Sequence, residues 1–361
     1  MPYPLNYGGS FDLFCKLPVL QQQGVHIHLH CFEYGRGRQP ELNKYCAEVH
    51  YYSRHTGLKG LSASIPYIVK SRYNKELLKR LLKDDHPMLL EGVHCTSLLN
   101  DARFAGRKVL VRLHNIEHEY YNQLAKTERS LVKKMYYSHE SRLLKKYEAS
   151  IASKAHFIAV TEKDADTYRQ QFKADVTYLP VFLPWNKVAS LPGTGNYCLY
   201  HGNLSVAENE ESAAWLLQQV FGQLQAPLVI AGRDPSRRLE QLVRRTPHAR
   251  LVANPGAQEM QELVRHAQVH ILPAFNATGI KLKLLNALFQ GRHCLVNGAA
   301  VDGTGLEACC GVADSAPELA RQIGLLMQQE FTADMIARRA AILHSIYNKE
   351  ENGRRLTGMI W

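Results

Sequence analysis

The 361-residue sequence predicts an α/β fold with two Rossmann-like domains that face each other across a cleft. Short apolar segments alternate with amphipathic ones along nearly the whole chain, which indicates parallel sheets with helices on both faces. The stretch 183–196 interrupts this alternation with two prolines and two glycines, so it is the predicted interdomain linker. A length of 361 residues also fits two domains of roughly 150 residues or more.

The first predicted domain, 1–183, begins unusually. Residues 1–12 are typical of the loop and helix that follow a first strand, yet no strand precedes them, so we expect the central strand to be missing. The apolar patterns then predict helices at 11–23, 74–84 and 129–152, and strands at 25–32, 48–52, 87–92, 108–114, 156–161 and 176–180.

The second predicted domain, 184–339, repeats the alternation. Its patterns predict strands at 197–202, 227–232, 249–252, 269–274 and 293–297, and helices at 208–224, 236–245, 257–267, 279–290, 316–329 and from 332 onwards. In such folds ligands bind outside the carboxyl ends of the strands.

Composition narrows the class of protein. The eight cysteines include no C-x-x-C pair, which is typical of reduced thiols in a cytoplasmic protein. No secretory signal pattern and no apolar run of ~18 residues is present. A net charge of +11 favours an acidic partner: a phosphorylated small molecule, an anionic membrane surface or nucleic acid. The alternative is that the lysines are simply solvated. Nucleic acid is disfavoured because the aromatic residues do not interleave with the lysines.

The stretch NATGIKLKLLNALFQG combines an apolar helix face with two early lysines. The positive end of a helix dipole disfavours cations, so Lys281 and Lys283 indicate a bound anion such as a diphosphate. Thr278 is the predicted N-cap, Gly279 allows close backbone approach, and Asn286 can hydrogen-bond a ribose hydroxyl. The alternative is a surface helix whose lysines point into water.

His114 closes a predicted strand and therefore lies at the rim of the expected cleft. There it can donate a hydrogen bond or act as a base. Together with Glu117 and His118 it matches the H-x-x-E-H zinc pattern. Zinc is disfavoured because the two histidines need one common helix, whereas His114 ends a strand; structural roles for both histidines stay open.

Glycines also lie where phosphate-binding loops are expected. Gly8 and Gly9 precede a helix, Gly202 ends a strand before Asn203, and Arg233 follows another glycine-terminated strand. Such positions let a backbone approach phosphate, although ordinary turns need glycine too.

The basic helix predicted at 129–152 carries lysines between apolar residues. It could contact anionic lipid, but packing of its apolar side on the sheet with solvated lysines is favoured.

These segments together resemble the GT-B glycosyltransferases of the broad family 4 group. PYPLNYGG resembles the family's glycine loop, RLHNIEHEYY its histidine segment, YHGNLSVAEN the start of its second domain, and ILPAFNATGIKLKLLNALFQGRHCLVN its donor-binding segment. The resemblance covers nearly the whole chain. It implies transfer of a sugar from a nucleotide-sugar with retained configuration, no metal or other cofactor, and a final helix at 340–361 that returns to the first domain.

The chain departs from the family in two segments. Thr278 and Asn286 stand where two glutamates are common, and an Arg/Lys pair is missing at 203–208, whose charge Lys281, Lys283 and Arg233 are predicted to supply. The resulting prediction is a cytoplasmic retaining hexosyltransferase of surface polysaccharide synthesis, with a saccharide or lipid-linked acceptor and a peripheral membrane contact left open. Its predicted catalytic residue is His114, and its predicted donor-binding residues are Gly8, Gly9, Gly202, Asn203, Arg233, Thr278, Gly279, Lys281, Lys283 and Asn286. The alternatives are a nucleotide-sugar epimerase, which Glu91, Glu117 and Glu119 could serve, and a non-catalytic nucleotide-sugar binder.

Overall fold

The computed structural model describes every residue except 6, 7, 34, 129 and 276–278, and leaves aside the side chains at positions 8 and 58. Contacts divide the chain into two compact units. The first unit holds Met1–Pro184 and Tyr347–Trp361, together with Gly279 and Ile280. The second holds Trp185–Ala277 and Lys281–Ile346.

The first unit contains two parallel sheets. One pairs β1 (His28–Phe32) with β2 (Glu48–Tyr52), and the other joins β3 (Met88–Glu91), β4 (Val109–Leu113), β5 (His156–Ala159) and β6 (Val176–Tyr178) in chain order. The α-helices that precede or connect these strands are α1 (Gly8–Gln22), α2 (Tyr67–Lys70), α3 (Lys75–Leu81), α4 (Glu117–Thr127), α5 (Leu131–Ile151) and α6 (Glu162–Phe172).

The four-stranded sheet is covered on both faces, as the apolar strand patterns predict. All five residues of β4 are buried, which is expected of a parallel strand between two helix layers. Val111 and Phe157 point to a core that includes Ile151 of α5, whereas Leu110 and Ile158 point to a second core that includes residues of α1. The sheet therefore places the carboxyl ends of β3 and β4 side by side.

The second unit contains one six-stranded parallel sheet. Its strands are β7 (Cys198–Asn203), β8 (Leu228–Arg233), β9 (Ala249–Ala253), β10 (Val269–Ile271), β11 (His293–Val296) and β12 (Gly311–Val312). Its helices are α7 (Ala207–Trp215), α8 (Arg237–Arg244), α9 (Ala257–His266), α10 (Leu282–Gln290), α11 (Gly298–Val301), α12 (Ala316–Leu326) and α13 (Ala333–Tyr347).

The order of that sheet, β12-β11-β10-β7-β8-β9, is doubly wound. The chain starts at the centre with β7, adds β8 and β9 on one side, and then crosses to add β10, β11 and β12 on the other. The winding direction changes between β7 and β10, and ligands of such sheets bind at that crevice.

The predicted single helix at 340–361 is wrong in one respect, because two helices cover this region. α13 ends at Tyr347, and α14 runs from Lys349 to Ile360. Asn348 separates them, and its side chain accepts a hydrogen bond from the backbone N–H of Glu351, which caps α14. α14 belongs to the first unit, where its Leu356 and Ile360 share a core with α1.

Candidate functional site

The crevice between β7 and β10 brings together residues predicted from separate segments. Gly202 and Asn203 end β7, and α10 follows the loop after β10. The side chain of Asn209, on α7, donates a hydrogen bond to the backbone oxygen of Asn203 at 2.9 Å. A Cβ on Gly202 would lie 3.3 Å from the Asn209 side chain, so a larger residue there would push against this link.

Lys283 of α10 joins Tyr200 and Asn209 in this crevice. Its Nζ donates to the hydroxyl of Tyr200 at 3.1 Å and to Oδ1 of Asn209 at 3.0 Å. The ammonium also lies 4.7 Å from the centre of the Tyr200 ring, within cation–π distance. The side chain as a whole is half-buried, but its ammonium group is enclosed.

The hydrogen-bond partners of this ammonium, Tyr200 and Asn209, are neutral. Among the residues that the structure describes, none forms a carboxylate salt bridge with Lys283. Burial lowers the pKa of Lys283 from 10.5 to about 8, and Glu208 offsets only part of that effect. Burial likewise lowers the pKa of the neighbouring His201 to about 3, so this histidine stays neutral. An enclosed cation with neutral partners is favourable only when an anion joins it.

The start of α10 differs from the prediction. The helix begins at Leu282 with Lys281 as its N-cap residue, not near Gly279, and the Lys281 side chain makes no capping hydrogen bond. Thr278, the predicted cap, lies outside the described residues. Asn286 lies half-buried in the second turn of α10.

Gly279 contacts the first unit, to which it belongs by its contacts. Its backbone N–H donates to Oδ2 of Asp164 at 3.2 Å, so it is not the free amide that the sequence suggested. Its φ of 63° is left-handed, and a Cβ there would collide with the carbonyl oxygen of His114 and the side chain of Asn115. Only glycine fits, and the structure thereby brings Gly279 next to His114.

Arg233 ends β8, beside Asn203 at the end of β7. Its side chain is exposed. The glycine before it has a packing role, because a Cβ on Gly232 would collide with the carbonyl oxygen of Gly202. The close approach of β7 and β8 therefore explains that glycine without any phosphate.

In the first unit, His114 follows β4 next to Glu91, the last residue of β3. His114 Nε2 lies 3.2 Å from Oε2 of Glu91, and Nδ1 lies 3.8 Å from Oδ2 of Asp12. Lys16 Nζ contacts both carboxylates, at 2.5 Å from Glu91 and 3.1 Å from Asp12. Arg112 of β4 donates to both oxygens of Asp12, at 2.9 and 3.0 Å.

This network balances its charges. Burial alone would raise the pKa of Asp12, but Arg112 and Lys16 hold it well below its ordinary value. Burial also opposes ionisation of Glu91, yet Lys16 and His114 lower its pKa. Two carboxylates thus face two cations, with His114 at the rim.

Asp12, Glu91 and His114 each offer a ligand atom within 4.8 Å of the others. A divalent cation fits poorly among them, because the ammonium of Lys16 already lies against both carboxylates. The group is better suited to hold His114 in one orientation.

The glycine pair of the N-terminal loop leads into this network. α1 begins at Gly8, and Gly9 is half-buried in its first turn. Asp12 and Lys16 follow on the same helix face, one turn apart.

The H-x-x-E-H pattern does not form a metal site. His118 Nδ1 lies 2.7 Å from Oε2 of Glu148 on α5. The same carboxylate accepts hydrogen bonds from the backbone N–H groups of Glu117 and His118, so it caps the start of α4. Burial and the nearby Glu148 raise the pKa of Glu117 to about 8. His118 therefore has a structural role.

Sequence reasoning missed Asp12, Lys16 and Arg112, and did not connect Glu91 with His114. One signal was available, since Arg112 interrupts the apolar strand VLVRL and a charge there needs a buried partner. The partners Tyr200 and Asn209 of Lys283 carry no comparable signal.

Comparisons with known proteins identify the fold. Sucrose-phosphate synthase from Thermosynechococcus elongatus has a TM-score of 0.68 at 14% identity, covering 98% of this chain and 92% of that one. HepE from Anabaena, solved in complex with UDP and glucose, has a TM-score of 0.66 at 12% identity over 98% and 96%. S. aureus TarM, solved with UDP and α-GlcNAc-glycerol, has a TM-score of 0.58 at 10% identity over 79% of this chain; the match spans only 57% of TarM.

The chain has the GT-B fold of these glycosyltransferases, with two Rossmann-like domains, so the resemblance inferred from the sequence is confirmed at the level of fold. A Klebsiella pneumoniae protein, described as an uncharacterized 44.6 kDa protein in the cps region, is 26% identical over 321 residues, covering 84% of this chain and 82% of that protein. No protein-family model matches the chain. No helix within the described part of the chain is long and apolar enough to cross a membrane.

Proposed function

We propose that this protein is a retaining glycosyltransferase, of hexosyltransferase type, that acts in surface polysaccharide synthesis. It moves a sugar from a nucleotide-sugar to a saccharide or lipid-linked acceptor at the cytoplasmic face of the membrane. The observation that carries the proposal is the enclosed ammonium of Lys283, with neutral partners, at the switch crevice of a doubly wound sheet. The fold, the UDP and glucose bound by HepE, and the cps-region relative support it.

The donor diphosphate lies against the start of α10 in this proposal. Lys283 and Lys281 supply positive charge, and Arg233 reaches the phosphates from the end of β8. Gly202 and Asn203 line the crevice, and Asn286 binds the ribose. The segment at Thr278 and Gly279 lies beside the transferred sugar.

Transfer breaks the bond between the anomeric carbon and the diphosphate, which leaves with the electron pair. The cations stabilise the negative charge that develops on the leaving group. The acceptor hydroxyl forms the new bond to that carbon and passes its proton to the departing diphosphate oxygen. His114, which Glu91 and the Asp12–Lys16 pair hold in place, hydrogen-bonds the sugar. Gly8 and Gly9 allow the backbone to approach the phosphates. We propose that the reaction needs no metal or other cofactor.

A thermal-shift screen tests donor binding. The probes are UDP, GDP, ADP and CMP, each alone and with its common sugar conjugates. A ligand at 100 times its dissociation constant should add about 2.7 kcal/mol of stability. The Lys281→Ala/Lys283→Ala variant should lose this gain, whereas Lys187→Ala, which changes an exposed lysine of the same unit, should keep it. Equal affinity of both variants for the nucleotide would contradict the assignment.

Turnover assays then separate the proposed reaction from the two alternatives. Sugar transfer that requires an acceptor supports the transferase. Conversion of the donor sugar without an acceptor would identify an epimerase, and binding without turnover would identify a non-catalytic binder. The structure does not favour the epimerase, because Glu91 is paired with Lys16, Glu117 is half-buried beside Glu148, and Glu119 is hydrogen-bonded to Gln171.

A further inference from the structure

The first turns of α5 project apolar side chains into solvent. Leu131, Val132 and Met135 are 75%, 79% and 74% exposed, the three highest values for large apolar residues in the part of the chain that the structure describes. Every residue from 131 to 135 is exposed. Five residues exceed the 3.6 of one helical turn, so this turn is surrounded by solvent on all sides.

Cations extend from this apolar turn along one side of the helix. At 100° per residue, Arg142, Lys145 and Lys146 lie within about 60° of the direction of Leu131 and Met135. These three cations are exposed, as are Lys133 and Lys134 beside the apolar residues. None of the five forms a salt bridge with a residue that the structure describes.

The acidic residues of α5 do not reach this side. Glu140 is buried and accepts a hydrogen bond from the backbone N–H of Tyr67 at 2.7 Å. Glu148 is fully buried and binds His118. The outer side of α5 therefore carries positive charge along its length and an apolar turn at its N-terminal end, and we call it the α5 face.

We propose that the α5 face binds an anionic lipid surface. Apolar side chains that project next to lysines suit the headgroup region of a bilayer, where the apolar parts enter and the ammonium groups stay near the phosphates. The cations farther along α5 add attraction to anionic headgroups. A projecting turn suits a deformable lipid surface better than the flat face of a protein partner. The inference takes up the lipid contact that the sequence left as the less favoured alternative, and it does not depend on sugar transfer.

Vesicle co-sedimentation of the full chain tests the proposal. The probes are vesicles of phosphatidylcholine alone and of phosphatidylcholine with an equimolar amount of phosphatidylglycerol. The protein should bind the mixed vesicles and not the neutral ones, and binding should weaken as salt increases. The apolar-turn variant is Leu131→Ser/Val132→Ser/Met135→Ser, and the charge variant is Arg142→Gln/Lys145→Gln/Lys146→Gln.

The charge variant should partition on the order of 100-fold less, at about fivefold per charge. The apolar-turn variant should lose at least about tenfold. Two control variants change exposed residues of the second unit: Arg244→Gln/Arg245→Gln/Arg250→Gln and Leu325→Ser. They should partition within about threefold of the unchanged protein, because their side chains lie outside the α5 face.

Several outcomes would overturn the proposal. The first is no binding to the mixed vesicles, and the second is equal binding to neutral ones. The third is an equal loss in the three-arginine control, which would indicate attraction by overall charge. The fourth is lipid-free self-association that the apolar-turn variant abolishes, which would make the α5 face an interface between copies. Nucleotide thermal shifts of the same variants show whether the donor site is intact, so failure here is distinct from failure of the proposed function.

Discussion

Replacing Lys283 by methionine should stabilise the second unit near neutral pH and weaken nucleotide binding. Methionine has a similar length and no charge, so it removes an enclosed ammonium while retaining most of the apolar contacts. The pKa of Lys283 lies at about 8 in the folded protein against an ordinary value of 10.5. At about 1.4 kcal/mol per pKa unit, the charge costs about 3 kcal/mol of folding stability at pH 7. Losing the two hydrogen bonds to Tyr200 and Asn209 costs roughly 0.5–1.5 kcal/mol each, which reduces the net gain to roughly 0–2 kcal/mol.

The dependence on pH distinguishes this effect from a change in packing. Because the folded-state pKa is lower than the unfolded one, the unfolded chain binds more protons between pH 8 and 10.5. Stability of the unchanged protein therefore rises with pH through that window. The advantage of Lys283→Met should shrink by about 2 kcal/mol between pH 7 and pH 9.5.

Denaturant unfolding at several pH values measures the effect. Fluorescence of Trp185 and Trp215 reports on the second unit, to which both belong. Lys187→Met, at an exposed position of the same unit, is the matched control and should show no pH-dependent difference. Parallel stability curves for Lys283→Met and the unchanged protein, or a destabilised variant at pH 7, would refute the reasoning.

Three further predictions concern binding and packing. Affinity for the nucleotide that the screen identifies, measured by calorimetry, should be constant between about pH 7 and pH 8 and fall by up to tenfold per pH unit above that, because Lys283 must be protonated to bind an anion; a flat profile would contradict the assigned role. Arg112→Met should destabilise the first unit by about 3–5 kcal/mol in denaturant unfolding, since it removes both guanidinium hydrogen bonds from the buried carboxylate of Asp12, and a loss under about 1 kcal/mol would show that Lys16 and the backbone N–H of Phe182 suffice. Gly232→Ala should lower the melting temperature because its Cβ collides with the carbonyl oxygen of the adjacent strand β7, whereas Gly324→Ala, which meets open space inside α12, should not; equal effects of the two substitutions would refute this packing argument.

Much of the fold follows from local sequence patterns. A parallel strand that is covered on both faces is mostly apolar along its length. The apolar runs at β4 and β7 therefore predict these two strands from the sequence. The chain positions of His114 and Gly202, directly after or at the end of such strands, follow from the same pattern. The start of α10 was misplaced by three residues, because a glycine and a threonine at 278–279 imitate a helix start while the actual N-cap, Lys281, lacks a capping side chain.

By itself, the sequence determined the alternation of strands and helices, the fold class, and the segments in which the candidate residues lie, because these depend on periodicity over a few turns or strands. Only the tertiary structure decided which groups meet. Lys283 joins Tyr200 and Asn209, and Glu91 joins His114 and Lys16, across separations that no local pattern encodes. The physical reason is that burial and charge pairing arise when distant strands and helices pack together, and these two quantities set the protonation and orientation of each side chain.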